Sequence, residues 1–185
     1  MKLVPEIQKI LTEAAEVDTR IRQITSGLST EQMLWRKAPS TWSITDVLTH
    51  LRLIADVFTP TADSAIADAR AKSWFSDGPF DIGLKGRIFL WYVEPPPKIK
   101  LPAPKRIVPV PVVHPAEALD GFWKAQQSMM ARVQQANGLD LVRIRIQSPL
   151  ASIVKMNLLT LFRVYTAHER RHVWQMENIR KLSER

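Results

Sequence analysis

The chain has 185 residues, 45% of them apolar, which fits a single domain over 1–185 with a sizeable core. It has no Cys, which excludes disulfides, thiolate ligands and a protein thiol nucleophile and leaves imidazole and oxygen donors for any metal. The formal net charge is +8, but the basic residues are scattered without a nucleic-acid motif. They read as solvated surface, so nucleic acid is not an expected partner. No run is apolar and long enough for a signal peptide or a span, so a cytoplasmic protein with no membrane partner is expected.

The first helix follows from Ile7, Ile10, Leu11, Ala14, Val17, Ile21, Ile24 and Leu28, which recur at three-and-four spacing. Pro5 suits its first turn and Ser26-Gly27 its end. A polar connection holding Trp35, Pro39 and Trp42 leads to a second helix. Ser43 caps that helix, and Asp46 sits three positions on. Its apolar positions are Ile44, Val47, Leu48, Leu51, Ile54, Ala55 and Phe58. Pro60 leaves two outcomes open, one bent helix to Lys72 or two short ones.

Residues 74–114 form a proline-rich segment in which Pro79, Pro95, Pro96, Pro97, Pro102, Pro104, Pro109 and Pro111 forbid a regular helix over most of its length. Its apolar and aromatic content predicts packing on the domain. Ile88 to Val93 fits either a helical turn or a short extended piece. The third helix starts near Pro115, with the stripe Leu119, Phe122, Trp123, Gln126, Met129, Met130 and Val133, and closes at Asn137-Gly138. Residues 141–147 alternate like a strand but have no evident partner, and read as an extended connection. The last helix is predicted from about Ser152 to Lys181.

Four long amphipathic helices around one core predict an all-α four-helix bundle. The long crossover between helices two and three can span the bundle, since an extended chain covers roughly 3.3 Å per residue. It therefore permits those two helices to run parallel.

Two of the four histidines form His168-Glu-Arg-Arg-His172. Four apart on a helix, they share a face and can reach one metal. The same face carries Val164, Leu161, Leu158 and Val154 before them and Gln175 and Ile179 after them, so both point inward. His50 lies in line with Val47 and Ile54. Burying three imidazoles among aliphatic side chains is costly unless their nitrogens find partners, and one shared cation would serve all three. Each His as a hydrogen-bonded core residue is the plainer alternative. His114, beside Pro115, reads as a surface or capping residue. Gln175 reads as a core amide or as a group that orients a ligand.

His-Glu-x-x-His, here His168-Glu169-Arg-Arg-His172, is also the zinc metalloprotease signature, in which the Glu acts as general base for a metal-bound water. The 13 residues after His172 leave no room for a further ligand helix, Gln175, Met176 and Asn178 do not fit the extended form, and little strand is available to hold a peptide. Glu169, one position off the His face, reads as a solvated helix residue.

The stretch Trp42-Ser-Ile-Thr-Asp-Val-Leu-Thr-His-Leu51 resembles the second-helix signature of the DinB-like (damage-inducible) superfamily. Phe162-Arg-Val-Tyr-Thr-Ala-His-Glu-Arg-Arg-His-Val-Trp-Gln175 resembles its last-helix signature, His-x-x-x-His-x-x-Gln. The two stretches cover about an eighth of the chain. The resemblance implies an up-down-down-up bundle with helices two and three parallel. It also implies one divalent metal, often zinc or nickel, on His50, His168 and His172. Thiol-dependent S-transferases, isomerases and metal-dependent hydrolases occur in that family, and dimers are common in it, so the resemblance also implies a homodimer.

Three His ligands would leave a coordination position open for water or for a low-molecular-weight thiol supplied as a cofactor. Arg163, Arg170 or Arg171 could meet an anionic cofactor, or serve solubility alone. Three functions follow: a metal-dependent transferase or hydrolase acting on a small-molecule substrate, a non-catalytic metal-binding or stress-response module, and a nucleic-acid-binding protein.

Overall fold

The computed structural model describes residues 2–98, 103–110, 114–151 and 153–184. Pro102, Pro111 and Ser152, which the sequence reading uses, lie outside these residues. The protein is mostly helical, and its all-α character follows from six helices among the described residues.

Helix α1 (Pro5–Thr25) begins on Pro5, whose missing N–H is unneeded in a first turn. It ends before Gly27, whose φ of +75° is a backbone state that glycine takes without strain. Its stripe is buried from Ile7 to Ile24. The connection that follows holds a short helix, α2 (Thr30–Leu34), opened by a reciprocal cap between Ser29 and Gln32. The sequence reading lacked it because five residues carry too little periodicity.

Helix α3 (Ile44–Ala71) is continuous through Pro60. Pro60 and Asp56 both lie on the exposed side, where water can take up the carbonyl that Pro60 leaves without a donor. Phe58 and Ala62 keep the opposite side packed. Its start is strongly fixed. Asp46 accepts bonds from the Ser43 backbone N–H and hydroxyl, each at 2.7 Å, and from Arg36 at 2.8–2.9 Å, and the Asp46 N–H returns to Ser43 Oγ.

In the crossover, Ile88 to Val93 is helical, the second half of α4 (Gly83–Val93). A 3-10 turn follows at Lys105–Ile107. The segment packs on the rest of the molecule, α4 against the last helix and the 3-10 turn against α3. Helix α5 (Pro115–Gln135) ends ahead of Asn137, whose side chain bonds the backbone of Val4 and Lys2 and so ties down the start of α1.

Two expectations are corrected after α5. Strand β1 (Arg145–Gln147) does have a partner, since it pairs antiparallel with β2 (Lys155–Asn157). The last helix, α6 (Leu158–Ser183), consequently starts at Leu158 and not near residue 152, and Val154 is not on its stripe. Asn157 sets that boundary, because its side-chain oxygen accepts from Thr160 N–H at 2.8 Å. The partner β2, at three residues, is too short to show a pattern of its own.

Cross-helix pairs fix the directions. Arg52 approaches Gly121, and Asp63 bonds Arg132, so α3 and α5 run in the same sense. Glu13 meets Arg170, and Arg20 meets Glu177, so α1 and α6 also run together. Phe58 contacts Tyr165 while His50 contacts His172, so α3 and α6 are antiparallel. The apolar interior falls into two clusters, one holding Ile54 to Ala69 and Leu158 to Ala167, the other holding Ile44 to Leu51, Val173 and Met176. Buried polar groups, including His50, Gln126, Glu169 and His172, lie where the two clusters meet.

Asp46→Ala removes a cap and leaves Ser43 and Arg36 without their shared acceptor. It is expected to cost about 2–4 kcal/mol, read as a lower urea midpoint with an unchanged m-value.

Candidate metal centre

His50 lies on the second turn of α3, and His168 and His172 on successive turns of α6, so the antiparallel pairing of these helices brings the rings together. The ring centroids are 4.7 Å apart for His50 and His172, 5.2 Å for His50 and His168, and 4.4 Å for His168 and His172. One ligand nitrogen from each lies within 4.8 Å of the others, a grouping that could hold a metal ion.

Partners on the far side of two rings aim their ligand atoms. His50 Nδ1 is 2.6 Å from the carbonyl oxygen of Ile107. A carbonyl only accepts, so Nδ1 carries the proton and Nε2 keeps its lone pair. His172 Nδ1 is 2.8 Å from Gln175 Oε1, which leaves Nε2 in the same state. The Nε2 atoms of His168 and His172 stand 3.2 Å apart. Two imidazoles on one tetrahedral ion at 2.0–2.1 Å have nitrogens roughly 3.3 Å apart, so this pair already has the needed separation. His168 Nδ1 is buried and lacks a hydrogen-bond partner among the described residues.

Burial also keeps the rings neutral. It lowers the pKa of His50 against the opposing effect of the Ile107 carbonyl. His168 falls to about 3, chiefly by burial, with His50 and Arg171 adding to it. Burial and then the two neighbouring histidines push His172 well below its ordinary value. Neutral imidazole is the form that binds a cation. The ring of Trp42 closes one side, with its centroid 4.8 Å from that of His50 and 6.1 Å from that of His172.

Several expectations about neighbouring residues change. Glu169 is not solvated. It is fully buried, and its Oε2 accepts from Gln126 Nε2 at 3.3 Å. Gln126 Nε2 also bonds Asp18 at 3.1 Å, and its Oε1 accepts from the Tyr165 hydroxyl at 3.0 Å. One residue along the helix turns Glu169 away from the His face by about 100°, but that direction faces α1 and α5 instead of water. Arg170 is held by Glu13 and Glu94 and is committed to joining α1, α4 and α6. Arg171 reaches the Tyr92 carbonyl at 3.4 Å. His114 is exposed at the N-cap position of α5 and makes no side-chain cap bond.

Two contributors to the centre escaped the sequence reading. The Ile107 carbonyl is a backbone atom and has no signature of its own. Trp42 stands in the signature at the start of the second helix, and only the folded chain shows its ring against the histidines.

Burial pushes the Glu169 carboxyl well above the ordinary carboxylate range, with Asp18 adding to it and Gln126, Tyr165 and Arg170 opposing it. A raised folded-state pKa gives stability that is present below about 4.5, the unfolded value, and is lost as pH climbs. Glu169→Gln stays neutral and keeps the bond to Gln126, so its stability relative to the parent chain is expected to rise steadily as pH increases above about 4.5. Chemical denaturation across pH checks this, and a pH-independent difference would contradict it.

The family model of the DinB superfamily matches residues 13–176, a span that includes His50, His168, His172 and Gln175. No curated protein and no solved structure matches the chain. On the extent of that match, this chain belongs to the DinB superfamily.

Proposed function

We propose that the protein binds one divalent metal ion, zinc or nickel, through the Nε2 atoms of His50, His168 and His172, and uses it in a transferase or hydrolase reaction on a small molecule. The observation that carries this reading is the convergence of three neutral imidazoles, two of them fixed from behind by Ile107 and Gln175. Zinc and nickel both take imidazole readily. An ion held there would supply Lewis acidity at a position that three ligands leave open, where a water or a low-molecular-weight thiol could bind.

The chain's own residues do the holding. His50 is anchored to the crossover through Ile107, and His172 to its own helix through Gln175. The ring of Trp42 shields the cluster on one side, which lowers the local dielectric and strengthens any charge interaction there. With no Cys in the chain, a thiol nucleophile would have to come from a cofactor.

A second reading, a metal-binding module without turnover, draws on Glu169. Its carboxyl is bonded to Gln126, and the cluster of possible ligands that includes His168 holds no carboxylate among the described residues. The two readings part on activity. A screen for thiol conjugation and ester or amide hydrolysis, with His172→Ala as control, separates them.

Protein purified without chelator is expected to carry about one metal per chain by elemental analysis. His50→Ala, His168→Ala and His172→Ala should each lose it while remaining helical by circular dichroism. Gln175→Ala should retain the site with affinity about 10–100-fold weaker, because it removes only the group behind a ligand. Full metal content in all three His variants would contradict the assignment.

A further inference from the structure

Helix α4 is apolar on both sides. Inward it buries Gly86 and Leu90. Outward, Leu84, Ile88 and Trp91 recur at four-and-three spacing and stand exposed, with Phe89 and Tyr92 beside them. Of the eleven exposed large apolar side chains among the described residues, eight belong to this crossover, these five together with Phe75, Val108 and Val110. A helix with two apolar faces and only one of them buried marks an interaction surface.

The charge around that strip is mainly basic. Between residues 81 and 110 the sequence has six basic residues (Lys85, Arg87, Lys98, Lys100, Lys105, Arg106) and two acids. Both acids are committed, Asp81 to Arg87 and Glu94 to Arg170. At about 100° per residue, Lys85 and Arg87 lie on opposite flanks of the Leu84–Ile88–Trp91 strip. Lys98 lies over the Trp91 ring, with its Nζ 5.6 Å from the centroid.

We propose that this outward face of α4 docks on an anionic lipid surface. An apolar strip with Trp and Tyr, flanked by cations on flexible stems, is the pattern of a helix lying in the headgroup boundary. The strip enters the apolar edge while the flanking amines stay level with the phosphates. A second copy of this chain would set one basic rim against another, a like-charge arrangement that disfavours pairing. Nucleic acid would use the aromatic rings and the cations but gains nothing from Leu84 and Ile88. The inference reverses the expectation of no membrane partner. It requires no spanning segment, and no described helix is long and apolar enough to cross a membrane.

Sedimentation of the full-length protein with sucrose-loaded vesicles tests it. The protein is expected to partition onto phosphatidylcholine–phosphatidylglycerol vesicles and much less onto phosphatidylcholine alone, with binding falling as salt rises. Ile88→Glu/Trp91→Glu alters exposed positions only and should reduce binding more than tenfold, with helicity and thermal unfolding unchanged. Lys85→Gln and Lys98→Gln should each weaken it roughly fivefold. Failure to sediment with the anionic vesicles, or equal binding to neutral ones, overturns the proposal. So does a result in which the double variant keeps vesicle binding and instead dissociates a dimer on a sizing column.

Discussion

Burying an imidazole in a protein interior is costly unless its nitrogens are occupied. Here His50 and His172 are buried, and His168 is partly so, at the level where the two apolar clusters meet. That requirement constrains the surrounding structure. The crossover must pass close enough to α3 for the Ile107 carbonyl to take the Nδ1 proton of His50. Helix α6 must be turned so that Gln175 stands behind His172. With those two partners in place the Nε2 lone pairs of His50 and His172 are left facing the centre beside His168 Nε2, where a cation could take them.

The proline-rich crossover therefore does more than connect two helices. Its 3-10 turn touches the His50-bearing part of α3, and α4 is fastened to α6 through Glu94 and Arg170, one of the three residues between His168 and His172. Arg170 reaches Glu13 of α1 as well, so three elements meet at one guanidinium directly beside the candidate ligands. On the other side of α6, Glu169, Gln126, Tyr165 and Asp18 form a buried polar group that makes rotation of the helix costly. The azimuth of the two histidines is thus set from both flanks.

Much of this was legible in the sequence, and the reasons differ by residue. The stripe of α1, the Ser43–Asp46 cap and the four-residue spacing of His168 and His172 are local, periodic signals, and each survives in the structure. The inward aim of His50 followed from its place between Val47 and Ile54. What was hidden depends on neighbours that are distant in the chain. Glu169 looks solvated to a two-sided helical pattern, but α6 is enclosed on more than one side, and there the one-stripe rule fails. The Ile107 carbonyl is an anonymous backbone acceptor 57 residues from its partner. Strands β1 and β2 are three residues each, so Val154 passed for a turn of helix until Asn157 was seen to cap the real start. Pro60 was ambiguous because its effect depends on which side of the helix it occupies.

The central claim is that imidazoles from α3 and α6 bind the same ion. X-ray absorption spectroscopy of the protein loaded with one equivalent of zinc or nickel addresses this directly, since imidazole rings leave a distinct outer-shell signature. The account predicts three imidazole nitrogens at about 2.0–2.1 Å for zinc, a shell that His50→Ala does not form. A first shell made of oxygen with no more than one imidazole would contradict it.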